Sequence, residues 1–128
     1  MALKLKRAVP DTAAEARHLF LDYFEREGAR HFRVEEEVLL PALAGHGDPE
    51  DPAVVRVLVE HVDLRRREQN LSAAKEPDPG ELRELGERLE SHIRHEERVL
   101  FPMIEAALSG AELGRLGIAI ARAEAAER

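Results

Sequence analysis

The sequence predicts an all-α protein: an antiparallel up-down four-helix bundle with a shortened first helix and a short C-terminal helix. Three observations carry this expectation. Ala, Leu, Glu and Arg, all good helix formers, dominate the composition, and aromatic residues make up only 4% of it. Apolar residues recur at helical spacing through three long stretches, and nothing alternates as a strand would. The stretches are joined by short loops rich in Gly, Asp and Pro, which make successive helices antiparallel neighbours. With 128 residues and 44% hydrophobic content, the chain reads as one domain, 1–128, long enough to bury a core.

Residues 1–8 form a scrap of amphipathic helix whose apolar content is Leu3 and Leu5, broken by Val9-Pro10-Asp11. Thr12-Ala13-Ala14-Glu15 matches a capping box, so a long helix starts near residue 12 and runs to about Ala44. Its inward stripe is expected to be Phe20, Phe24, His31, Glu35, Val38 and Ala42. Residues 45–52 form a loop in which Asp51-Pro52 reads as N-cap and first position of the next helix, covering about 52–74. Val54, Leu58, His61 and Arg65 share one side of it. After the loop 76–80, Asp78-Pro79 starts a helix over about 79–108, with Leu82, Leu85, Leu89, His92, Glu96, Val99 and Met103 inward. Ser109-Gly110-Ala111-Glu112 is a second capping-box match and opens a terminal helix to about residue 125. Pro41 and Pro102 fall inside helical patterns, where each removes a backbone hydrogen bond and crowds the preceding turn. Each is expected to kink or end its helix.

The chemistry lies in a repeat. His31-Phe32-Arg33-Val34-Glu35-Glu36-Glu37-Val38-Leu39-Leu40-Pro41 returns as His92-Ile93-Arg94-His95-Glu96-Glu97-Arg98-Val99-Leu100-Phe101-Pro102, identical at seven of eleven positions. On a helix, i and i+4 share a face, so each copy directs an imidazole and a carboxylate the same way. That donor pair, repeated, suits a transition metal better than a hydrophobic core. The copies stand 61 residues apart, and the lone His61 precedes His92 by 31; its counterpart in the first half would fall immediately before Met1.

Composition excludes several other chemistries. A net charge of −7, with basic and acidic residues interleaved, does not recommend nucleic acid. With no cysteine there is no disulfide, thiolate site or iron–sulfur cluster held by this chain, which leaves His and carboxylate as metal donors. There is no transmembrane run and no signal peptide at the start, so the expected compartment is the cytoplasm.

The histidine-bearing helices and the doubled His-x3-Glu-Glu-x-Val-Leu-x-Pro resemble the hemerythrin-like (HHE cation-binding) family over nearly the whole chain. The resemblance implies a non-haem di-iron centre in a four-helix bundle. Carried over by position, it gives His31 and Glu35, His61, and His92 and Glu96 as metal ligands, with the two carboxylates bridging. It further implies dioxygen, nitric oxide or a similar small molecule as the ligand, for reversible binding, sensing or iron storage.

Two departures stand out. Oxygen-carrying members place a histidine one turn after the third-helix ligand, where this chain has Arg65. The first-helix histidine is also absent, which reads as a truncated or misassigned start whose open groove would suit a homodimer. His18 does not replace it: 13 residues before His31, it lies about 20 Å away along a continuous helix and on the opposite face.

The remaining side chains carry plainer expectations. His95 flanks the ligand face, His46 is a solvated loop residue, and Glu36 and Glu97 belong to a solvated face unless one orients an imidazole. Phe20, Tyr23, Phe24, Phe32 and Phe101 are core. Zinc or manganese on the same five residues, and a metal-free helical interaction module, are the competing readings. A ferritin-like oxidase would need two Glu-x-x-His motifs; only Glu15-Ala16-Arg17-His18 fits, with its histidine misplaced. No separate acid–base residue is arranged for turnover, so the sequence does not read as an enzyme.

Overall fold

The computed structural model describes residues 1–126, and among them every regular element is helical. A short α1 (Ala2–Lys6) precedes a long α2 (13–44), then α3 (Pro52–Ala73), α4 (79–107) and α5 (Gly110–Ala126). This is the expected all-α up-down bundle with a short helix at each end.

The starts follow local chemistry. Asp51 accepts a hydrogen bond from Ala53 N at 2.9 Å and Asp78 one from Gly80 N at 2.8 Å, each with a proline at the first helical position. Ser109 and Glu112 form a reciprocal capping box at the start of α5. The box expected at Thr12 does not form, because its hydroxyl is engaged with the backbone of Val9 in the preceding turn.

Neither proline ends its helix. In α2 the turn Glu35–Leu39 widens so that Leu40 N reaches back five residues to Glu35 O; in α4 the turn Glu96–Leu100 does the same from Phe101 N to Glu96 O. Each wide π-type turn sits just before a proline and begins at the repeated glutamate. Widening makes room for a ring that would otherwise meet the carbonyl four residues back. A third wide turn, Phe24–Gly28, closes from Ala29 N to Phe24 O. Gly28 leaves the space beside it to aromatic rings: a Cβ there would stand 3.0 Å from Phe24 Cδ2 and 3.4 Å from Tyr23 Cε1.

The wide turns before the two prolines each add a residue and advance the inward stripe by one. Leu39 and Leu43 are buried where Val38 and Ala42 were expected, and Leu100 and Ile104 where Val99 and Met103 were expected. After Phe24–Gly28, Phe32 is buried and His31 exposed, whereas Glu35 stays buried as expected. On α3, Val57 and Leu64 are buried, whereas Leu58 is 41% exposed. Phe101 is likewise on the surface, not in the core.

Two core clusters result. One joins Leu5, Phe20, Phe24, Phe32, Leu64, Leu82 and Leu85; the other joins Leu39, Leu43, Val57, Leu100, Ile104 and Leu116. α1 packs on the first half of α4 so closely that a Cβ on Gly86 would stand 2.7 Å from Lys6 N. Lys6–Glu90 and Arg83 to Ala8 O fix it there. α5 packs on residues 29–39 of α2 and adds Leu116 to the second core. α1 thus covers the start of α4, and α5 the second half of α2.

Candidate metal centre

Between the two cores lies a polar group. Glu35, His61, His92 and Glu96 are buried, and one donor atom from each lies within 4.8 Å of all the others. Three helices supply them. Glu35 and Glu96 stand at the start of the two proline-linked wide turns, and His61 comes from the middle of α3.

The imidazoles are oriented from outside the group. His61 Nδ1 lies 2.7 Å from Glu36 Oε2, and His92 Nδ1 lies 3.0 Å from Glu60 Oε1. A carboxylate only accepts, so each Nδ1 carries the proton and donates it. Each Nε2 therefore turns a lone pair inward: that of His92 to 3.1 Å from Glu96 Oε1, that of His61 to 3.9 Å from Glu35 Oε1. Lone pairs facing lone pairs form no hydrogen bond. Oε2 of Glu35, Nε2 of His61 and His92, and Oε2 of Glu96 are buried without a hydrogen-bond partner among the described residues.

Orphaned buried acceptors are costly, and several aimed at one point fit a cation at that point. The donor set also fits a transition metal: two neutral imidazoles and two carboxylates, with a further carboxylate behind each imidazole, as at histidine–metal sites generally. Burial pushes the His61 pKa down to about 4, against the pull of Glu35 and helped by His92 and Arg65. Its lone pair is therefore free at neutral pH.

Glu36 is held in turn by Arg65, whose guanidinium nitrogens lie 3.2 Å from its two oxygens. The same guanidinium stands 5.7 Å from the Phe32 ring centre. Phe32 walls the group, stacked on His61 at 4.0 Å and edge-on to His92 at 5.6 Å.

Of the five residues expected to act together, the structure brings together four. His31 stands outside, its side chain 51% exposed and its Nε2 2.9 Å from Glu35 Oε1. Contact with Glu35 raises the His31 pKa, against partial burial. His18 is exposed on the Ala13–Tyr23 end of α2 and is no part of the group. His95 is buried and lies 3.1 Å from Ala53 O, a structural contact across to α3. His46 pairs with Glu112. Glu36 is not merely solvated, since it orients His61, whereas Glu97 is exposed. Glu60 escaped the sequence reading. Its position next to His61 was visible, but its partner is on α4.

No helix among the described residues is long and apolar enough to cross a membrane. No curated protein and no solved structure matches the chain significantly. A family model described as the hemerythrin HHE cation-binding domain matches residues 1–104, which include the whole four-residue group. The chain belongs to the hemerythrin HHE cation-binding domain family.

Proposed function

We propose that this protein holds iron at Glu35, His61, His92 and Glu96 and uses it to bind a small diatomic ligand such as dioxygen or nitric oxide. The observation that supports this best is the convergence of proton-free, unpartnered donors from three helices. Iron suits a set that mixes imidazole with carboxylate and has no thiolate. When bound, it would supply a redox-active centre at which a diatomic molecule can bind.

The chain's own residues do the rest. Glu36 and Glu60 keep both imidazoles in the donor tautomer. Glu35 and Glu96 offset the charge of the cation. Phe32 keeps one side apolar and dry.

Zinc or manganese accepts the same donors and is the second reading, favoured by the small, tightly gathered group. Anaerobic loading of metal-free protein with ferrous iron tests the proposal, followed by nitric oxide and electron paramagnetic resonance. Retained iron with an iron–nitrosyl signal is expected. Retention of zinc alone would favour the second reading, and retention of no metal would favour a helical interaction module.

A further inference from the structure

Resting on the metal-binding reading above, we infer that the site is built for one ion, with His31 outside its coordination sphere, and not for the pair of ions that the family resemblance implies. Size favours one ion. Donors about 2.1 Å from a single ion stand roughly 3–4.2 Å from one another. Two ions about 3.5–4 Å apart would spread their terminal donors to about 8 Å. One donor atom from each of the four residues lies within 4.8 Å of the other three, nearer the span of one coordination sphere than the roughly 8 Å of two ions.

What remains for another ion also favours one. The spare carboxylate oxygens could be shared, but the one further histidine beside them is His31. It stands outside, its side chain 51% exposed, and Phe32 holds the inward place. Phe32 offers no lone pair, and its ring already lies on His61. One turn beyond His61 stands Arg65, a permanent cation committed to Glu36. The counterpart of His31 in the second copy, His92, is buried. The repeat is symmetric in sequence and asymmetric in space.

Charge agrees. One divalent ion is neutralised by Glu35 and Glu96, because Glu36 is matched by Arg65 and Glu60 lies 3.1 Å from Arg56 Nε. A second divalent ion would leave two uncompensated positive charges in a buried site beside Arg65, which is strongly unfavourable.

Titration of metal-free protein with cobalt(II), read by its visible ligand-field bands and by equilibrium dialysis, tests this. Wild type is expected to saturate at one tight equivalent. His31→Ala should also saturate at one, with affinity within about threefold, and His92→Ala, checked for helicity by circular dichroism, should lose tight binding. Two tight equivalents in wild type, or loss of tight binding in His31→Ala, would overturn the one-ion inference while leaving metal binding intact. No cobalt bound by folded wild type would overturn the metal reading itself, and this inference with it.

Discussion

At the scale of single residues, burial decides how His61 behaves. Its folded pKa is about 4 against 6.5 for the free side chain. Between those values the unfolded chain binds the proton and the folded chain does not, so stability rises with pH through that window. Metal-free protein should therefore lose up to about 3 kcal/mol from this group as pH falls from 6.5 towards 4. Denaturant melts of wild type and His61→Gln across that range check it: the pH dependence should be shallower in the variant. Glu36 and Glu60 act through the histidines they hold, and such partners are typically worth about 10–100-fold in metal affinity. Competition with a chelator should show a loss of that order in Glu60→Ala, with helicity retained. Glu35, His92 and Glu96 were legible because a repeated His-x3-Glu is a local signal on one helix. Glu36 was legible only as an alternative and Glu60 not at all, because each serves a histidine on another helix and only packing reveals the pairing.

At the scale of elements, the lengths of α2, α3 and α4 were legible from apolar period, caps and prolines. Phase was not. Constant helical rotation assigns Val38 and Val99 inward, but a wide turn of one extra residue hands those places to Leu39 and Leu100. Constant rotation also placed His31 inward, where Phe32 is buried instead, and this changed the membership of the candidate site. Proline signals a distorted turn without saying whether the helix will kink, stop or widen. Close packing of α1 also rests on one position. A methyl on Gly86 would stand under 3 Å from Lys6 N, Leu5 Cβ and Ala2 O, two of them backbone atoms that cannot swing aside. Gly86→Ala should destabilise the protein by about 1–3 kcal/mol through overpacking, despite the better helix propensity of alanine. A thermal melt that left stability unchanged or raised would show that α1 is loosely held.

At the scale of the whole molecule, neither end helix completes the bundle alone. α1 closes the end near Ala13–Tyr23, and α5 closes the end near residues 29–39. α5 lies beyond the residues 1–104 that match the family model, yet its Leu116 belongs to the second core. Truncating that side chain to alanine should cost about 2–4 kcal/mol, read from a denaturant melt. A cost near zero would make α5 an appendage and not part of the core. The sequence showed a terminal helix at this position, but not which face of the bundle it would cover, since no local signal names a partner.

If the four buried donors hold a cation, adding metal to metal-free protein raises its thermal stability. A metal that binds only the folded state adds stability as its concentration rises above the dissociation constant. Wild type should melt at clearly higher temperature when ferrous iron or zinc is added to metal-free protein, and the double variant His61→Leu/His92→Leu should show no shift. An unchanged melting temperature in wild type, or an equal rise in both proteins, would mean that the four residues do not form a metal site.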